Sequence, residues 1–421
     1  MQMIKSAEDN YLIGNPKITF FKIVYHRHTN FAMEDVQIPV ETSLASYNEF
    51  TKTTIIPKSG DLLYNLYYDI KLIGTASNGR TTYINWTNST GYAYLKEVSI
   101  EIDGQQIDKH YSEWFDIWNE LTDINLNEHI LVNKHNAKNT YLLGNTGTTP
   151  PDLQMYIPLR FWFTRNSGLA LPLISLQNTD VKMKTTFRKL DHLINCDGTA
   201  TSQTTTPIIN LYGNYIFLDT EERRKFATES HDYLIEQVQY LKPQTLSTKH
   251  NLNFTNHVKE IIWVCRNQNI GETDPTTANV VDATANTEGG PLNDGNDYFN
   301  YSSGSQLNSE YINTQLSYEP FETAKIVFEG ADRFTAKKAS YFRTLQPLYN
   351  HSKVPEKHIY SYSFALRPEE YQPSGFINFS KLNNVDLILT GQISDTDILI
   401  FATNYNVLRF SGGTAALAYI S

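Results

Sequence analysis

IYSYSFALRPEEYQPSGFINFSKLNNVDLILTG, residues 359–391, decides the fold, because the chain states the same pattern twice. Its counterpart is YIPLRFWFTRNSGLALPLISLQNTDVKMKTTF, residues 156–187. Each copy begins with an apolar, aromatic strand (Ile359 to Leu366; Ile157 to Phe163) and turns at Pro and Gly (Pro373 and Gly375; Gly168 and Pro172). Each then steps through Leu-polar-Asn (Leu382 to Asn384; Leu176 to Asn178) into a second strand (Val385 to Thr390; Val181 to Phe187). Short apolar runs bounded by Gly and Pro are strand signals. Their recurrence in one order predicts a duplication.

A second pair of segments carries the same prediction. Val98 to Phe115 is a strand that breaks at Gly104, crosses a polar stretch and ends on Trp114 and Phe115; Ala324 to Phe342 breaks at Gly330 and ends on Tyr341 and Phe342. Gly104 lies 77 positions before Val181 and Gly330 lies 55 before Val385 (181 − 104; 385 − 330), so the first copy holds the longer insertion. Insertions of that kind belong in surface loops.

With 421 residues the chain exceeds one ordinary core, and two domains of roughly 200 residues each are expected. The division falls at 1–218 for a first sandwich with an N-terminal arm and 219–421 for a second with a C-terminal tail. The 27 Tyr and 21 Phe favour strands, where broad side chains pack on a pleated surface. The net charge of −10 repels phosphate backbones, and no basic tail offsets it, so no direct nucleic-acid binding is expected. Cys196 and Cys265 form no C-x-x-C, which speaks against a disulfide framework or a zinc site and for a reducing compartment. With no signal-peptide core and no run near the ~20 apolar residues that span a bilayer, a soluble protein made in the cytosol is expected. The six N-x-S/T triplets, at Asn85, Asn88, Asn253, Asn300, Asn350 and Asn378, then have no glycosylation role.

Along the chain, Gly14-Asn15-Pro16 is a turn signal, and the dense apolar run from Ile18 through Phe20 and Ile23 to Tyr25 predicts the first strand. Asp61 to Ile73 alternates Leu62, Tyr64, Leu66, Tyr68 and Ile70 on one face, the period of a half-buried strand. Residues 74–91 and 122–152 are expected as loops. Ser112 is placed to cap a short helix with Trp114, Trp118 and Leu121 on one face. Asp219 and Glu222 have capping-box spacing for a helix, EERRKFA, joining the halves. Val258 to Cys265 matches Asp61 to Ile73 in order, and the polar run 266–318 reads as one large exposed loop. The end, from Asp397, reads as a strand, a second strand and a small-residue tail that must dock. Alternation, tight turns and few helices make the chain all-β, two sandwiches of about eight strands each with a few short helices and long loops.

Candidate chemistry is sparse. His26-Arg27-His28 has H-x-H spacing, but nothing after Glu34 supplies converging ligands, and a charged strand end is the simpler reading. Asp103, Asp108, His110, Glu113 and Asp116 surround His110 beside Trp114; a carboxylate pair there would suit glycosidic or amide cleavage, while a solvated turn and helix start accounts for them without chemistry. Asn293 to Asp297 resembles part of a calcium loop without its final Glu. Lys182 and Lys184 alternate with Val181 and Met183, as on a solvent face. No G-x-x-x-x-G-K, G-x-S-x-G or H-E-x-x-H occurs. No catalytic residue, cofactor site or metal site is expected.

Seven stretches are nevertheless familiar as a set. GNPKITFFKIVYHRHTNFAME, IDGQQIDKHYSEWF, PLRFWFTRNSGLALPLISLQ, YIFLDTEERRKFA with YLIEQ, DRFTAKKASYF, YSFALRPEEYQPSGFINFSKLNN and NYNVLRFSGGTAALAYIS resemble the major capsid proteins of nucleocytoplasmic large DNA viruses. They occur in the family's order from about Gly14 to the last residue; His26 departs from the Arg that relatives often carry, which puts packing rather than fold in question. The resemblance implies two tandem eight-stranded antiparallel jelly-rolls. It also implies a homotrimer serving as a pseudo-hexagonal capsomer of an icosahedral shell, with neighbouring capsomers, minor capsid proteins and an inner virion membrane beneath as partners. Assembly would occur in the host cytoplasm, and Glu369 and Glu370 would form a polar turn tip. A minor capsid or scaffold paralogue, and a tandem jelly-roll glycan-binding or amidase protein using Asp108 and Trp114, are the alternatives.

Overall fold

The computed structural model describes residues 13–23, 25–40, 47–76, 84–122, 131–133, 149–196, 202–268, 296, 298–301, 319–392 and 396–419. The first half contains β1 (Phe31–Ile38), β2 (Phe50–Ile55), β3 (Leu62–Leu72), β4 (Ile84–Trp86), β5 (Leu95–Ile102), β6 (Gln105–Tyr111), β7 (Leu153–Pro158), β8 (Val181–Phe187), β9 (Ile194–Cys196) and β10 (Ile208–Leu218). They form two four-stranded sheets, β1-β10-β3-β7 and β2-β8-β5-β6, with β4 and β9 as a small separate pair. The second half contains β11 (His231–Thr245), β12 (Lys249–Asn251), β13 (His257–Asn267), β14 (Thr323–Phe328), β15 (Ala331–Asp332), β16 (Lys337–Lys338), β17 (Ile359–Ser363), β18 (Ile377–Asn378), β19 (Val385–Thr390), β20 (Thr396–Ser411) and β21 (Thr414–Leu417). Its sheets are β11-β20-β13-β17 and β12-β19-β14-β15, with β16, β18 and β21 paired at the margins.

If β4, β9 and those marginal strands are set aside, each half orders its eight strands 1-8-3-6 in one sheet and 2-7-4-5 in the other. All these neighbours pair antiparallel. Two sheets with this Greek-key order make a jelly-roll, so the chain is two tandem jelly-rolls. The repeated segments occupy equivalent strands: β7 and β17 are sixth, β8 and β19 seventh, β3 and β13 third. The repeated glycines also match. Asp103-Gly104 (φ 54° and 74°) and Glu329-Gly330 (φ 49° and 81°) turn the fourth strand into the fifth, and positive φ at both positions suits a two-residue hairpin turn.

Among the described residues, α1 (Thr90–Tyr94), α2 (Ser112–Thr122), α3 (Trp162–Arg165), α4 (Thr220–Thr228) and α5 (Gln346–Asn350) fill the corners. α4 joins the halves, with the Asp219 carboxylate accepting from the Thr220 amide. α2 is buried from Ser112 to Leu121, and the Ser112 hydroxyl donates to the Glu113 carboxylate instead of capping the helix.

Several local expectations need correction. No strand begins at Ile18: β1 starts at Phe31, and Phe20, Phe21, Ile23 and Tyr25 are almost fully exposed, because no part of their own half covers them. The aromatic run after Ile157 leaves the sheet just past Pro158, after the Leu159 amide has bonded the Leu66 carbonyl of β3 at 2.9 Å, and Trp162 opens α3. Its counterpart ends at Ser363, short of Leu366. Of residues 74–91, expected as a loop, Ile84–Trp86 form β4 and Thr90 opens α1, and all of 84–91 are buried. β20 runs unbroken for 16 residues before Gly412 and Gly413, both with positive φ, turn it into β21. Most of 122–152 and 266–318 lies outside the described residues. Of the latter, Asn296 and Tyr298–Tyr301 are buried, contrary to the expected exposed loop, whereas Arg266 is half-buried and Gln268 exposed.

A candidate assembly surface and the seam that supports it

The acidic cluster singled out in the sequence lies at the seam between the two jelly-rolls. Asp108 and His110 sit on β6, Glu113 and Asp116 on α2, and all four are buried, so the solvated-turn reading of them does not hold. Asp103 alone stays exposed, at the hairpin tip. Burial of a charge requires a partner. The second half supplies most of them: Arg266 Nη1 lies 3.0 Å from Glu113, Lys357 Nζ lies 2.7 and 2.8 Å from the two Asp116 oxygens, and Lys353 lies 3.5 Å from Glu120. Asp108 accepts from the Val238 amide of β11 at 3.1 Å and has His110 Nε2 at 2.9 Å. In return, Arg165 of α3 reaches Glu236 of β11 at 2.8 Å while its guanidinium stacks 4.0 Å over Trp118. Burial alone raises the Glu113 pKa, but Arg266 and Arg188 outweigh it and hold the carboxyl below its ordinary value.

A polar-looking loop closes this cluster. Tyr298 donates to the His192 carbonyl, Asn296 Nδ2 to the Ile194 carbonyl, and the Asn296 carbonyl accepts from Thr87, so a second-half segment plugs the first jelly-roll. Arg188 lies 4.2 Å over the Tyr298 ring, and Lys357 faces the rings of Phe299 and Tyr301 at 5.3 and 5.7 Å. Around it the contact is aromatic: Tyr111 meets Tyr240 at 4.4 Å and Trp114 meets Phe401 at 5.6 Å between ring centroids. One continuous core therefore contains the first jelly-roll together with Ile262, Val264, Ile359, Leu399 and Phe401 of the second. Asn178 also binds the β20–β21 turn, its amide on the Gly413 carbonyl.

Within the second half, Glu369 is no mere turn tip. It accepts from the Ser352 amide at 3.0 Å and lies 2.9 Å from His351 Nδ1, while His351 Nε2 lies 3.2 Å from Glu260. Burial pulls the His351 pKa down, but the Glu260 and Glu369 carboxylates outweigh it and raise it to about 9. Glu370 instead pairs with exposed Arg367 at 2.9 Å.

The remaining candidates are not brought together. His26, Arg27 and His28 are exposed on the arm before β1, not on a strand end. Lys182 and Lys184 face solvent on β8, as expected. Of Asn293 to Asp297 only Asn296 lies within the described residues. No group of three or more His, Cys, Asp and Glu that could hold a metal occurs among the described residues. Asn85, Asn88 and Asn300 are buried. No helix of the described residues is long and apolar enough to cross a membrane. Exposed apolar side chains among the described residues include Ile18, Phe20, Phe21, Ile23 and Tyr25 on the arm, and Leu348, Tyr349, Leu366 and Phe376 on the second half. Aromatic richness of the arm was visible in the sequence; its exposure was not.

An arrangement that commits the buried carboxylates Glu113, Asp116 and Glu120 to joining two halves, with apolar side chains left outside, suits assembly rather than turnover. Comparison with known proteins agrees. Residues 19–219 match the model for the major capsid protein N-terminus, and residues 222–416 match the large eukaryotic DNA virus major capsid protein model. The major capsid protein of Pyramimonas orientalis virus is 36% identical over 100% of this chain and 98% of that protein. That of Paramecium bursaria Chlorella virus 1 is 34% identical over 98% of this chain and 97% of that protein. The crystal structure of PBCV-1 VP54, fitted into a reconstruction of the virophage Sputnik, superposes with a TM-score of 0.76 at 30% identity, covering 96% of this chain and all of that one. The Faustovirus major capsid protein shares the fold at a TM-score of 0.70 and 14% identity, covering 94% and 93%. The chain belongs to the large eukaryotic DNA virus major capsid protein family, as a structural double jelly-roll component of the virion capsid and not an enzyme.

Proposed function

We propose that three copies of this chain associate into a capsomer that presents six similar jelly-rolls and so fills a six-neighbour lattice. The observation that carries this reading is the repeated strand order, 1-8-3-6 and 2-7-4-5, in both halves of one chain. A three-fold object built from two like units approximates six-fold symmetry, and closed cyclic symmetry is the rule for homo-oligomers. In this reading the division into jelly-rolls falls between residues 218 and 219. Neighbouring capsomers and minor capsid proteins meet the trimer at its margins, and the inner virion membrane lies beneath. Assembly takes place in the host cytoplasm, and a body of net charge −10 makes no direct contact with nucleic acid. No residue of the chain has a catalytic, cofactor or metal role.

An obligate trimer should bury more than ~2,000 Å² per interface. Mass photometry of the purified protein is expected to give a species of three times the 48.2 kDa of one chain. A stable monomer at micromolar concentration, with nothing larger, would contradict the reading.

A further inference from the structure

The arm before β1 is the part of the described chain least used by its own body. Ile18 is 74% exposed, Phe20 91%, Phe21 99%, Ile23 88% and Tyr25 86%. Its hydrogen bonds among the described residues are local: the Phe21 amide donates to the Thr19 hydroxyl, and His28 Nδ1 lies 2.7 Å from the Thr29 carbonyl. The apolar surface continues into β1, where Phe31 and Met33 are also exposed. Among the described residues β1 is the outer strand of its sheet, paired with β10 on one side alone. A free edge joined to an uncovered aromatic segment is a template for another chain. Soluble proteins seldom leave such a surface without an occupant.

Charge identifies the occupant. Residues 10–30 contain Lys17, Lys22 and Arg27 and no acid, a charge of +3, so the rest of the chain carries −10 − 3 = −13. Opposite potentials attract and orient two surfaces, and like ones repel. A second copy of this chain therefore presents an acidic body to a basic arm, whereas an anionic lipid surface would attract the arm but repel the body behind it. Reach permits the contact: the 15 residues 16–30 span up to about 50 Å when extended, enough to cross a neighbouring jelly-roll.

The geometry points to the arm that carries Ile18, Phe20, Phe21, Ile23 and Tyr25 as an intersubunit strap, its aromatic side chains and the β1 edge from Phe31 to Met33 seated on a second copy of this chain. The inference rests on the capsomer reading and adds the segment that makes the contact between copies.

The test uses full-length protein. One variant carries Phe20→Ser, Phe21→Ser, Ile23→Ser and Tyr25→Ser together; another carries Lys17→Glu, Lys22→Glu and Arg27→Glu. Since these side chains are exposed, each variant should keep the wild-type far-UV circular dichroism spectrum, which shows that the body still folds. The concentration at half-association, read by mass photometry and sedimentation, should rise at least tenfold for the serine variant. It should rise less for the glutamate variant, in a salt-dependent way. A photocrosslinking amino acid at Phe21 should yield a covalent two-chain product. Wild-type association that neither variant weakens would overturn the strap while leaving the capsomer reading intact; a wild type that never associates would overturn both. Crosslinking to phosphatidylserine-containing vesicles in place of a second chain would overturn the choice of occupant.

Discussion

β3 and β13 hold the same position in two like sandwiches, yet they distribute apolar side chains differently. β3 alternates: Leu66, Tyr68, Ile70 and Leu72 are buried, while Tyr67, Asp69 and Lys71 between them are only partly so. β13 does not alternate. Ile261, Trp263 and Cys265 belong to the second jelly-roll's own core, and Ile262 and Val264 belong to the core shared with the first. Its neighbour β20 divides in the same way, with Ile398, Ile400 and Ala402 inward and Leu399 and Phe401 toward the seam. Alternation marks a sheet with one wet face, and a continuous apolar run marks a sheet covered on both. The difference teaches that the first half covers the second half's sheet, so the pair is one packed body rather than two beads on a linker.

The largest expected effect breaks the seam face directly. Phe401→Ala should cost about 3–5 kcal/mol of unfolding free energy, as a buried Phe truncation does, although Phe401 lies outside its own sandwich core. Chemical denaturation checks this; a loss near zero would mean that the seam is not a core. Asp116→Asn should cost about 3 kcal/mol, because Lys357 is then left with its ammonium enclosed by Phe299 and Tyr301 and no carboxylate. Adding Lys357→Met should recover most of that loss, which a double-mutant cycle measures.

His351 sharpens the contrast through pH. Its folded pKa of about 9 stands above the ordinary 6.5, so its contribution is complete below about pH 6.5 and disappears as pH rises through 9. The amount is of order 3 kcal/mol from the size of that shift. Urea midpoints at pH 6, 8 and 10 should fall more steeply for the wild type than for His351→Gln, and parallel curves would refute it. The smallest effect belongs to the wet face of β3: Lys71→Ala, which loosens one half-exposed pair with Asp152 at 3.8 Å, should change stability by less than ~0.5 kcal/mol.

The duplication and the all-β class were legible because Pro, Gly and two-residue periodicity act locally. The matching hairpins at Gly104 and Gly330, and the sixth and seventh strands drawn from Tyr156–Phe187 and Ile359–Thr390, needed no knowledge of distant partners. The seam was not legible. Glu113 and Asp116 meet Arg266 and Lys357 across 153 and 241 positions, and a charge in a sequence does not reveal its partner. Tyr298, Phe299 and Tyr301 were hidden because three aromatics in an Asn-rich run do not lift its average polarity. The arm misled for the opposite reason: apolar density was read as burial in its own body, and within one chain Phe20 and Phe21 are exposed.

Two covered, like sandwiches in one chain are proposed to make a six-lobed tile in threes. Two-dimensional cryo-electron microscopy averages of the purified protein test it most directly. The account predicts particles with three-fold symmetry and six nearly equal lobes, two per chain. Averages that show single two-lobed particles, or rings with another number of chains, would contradict it.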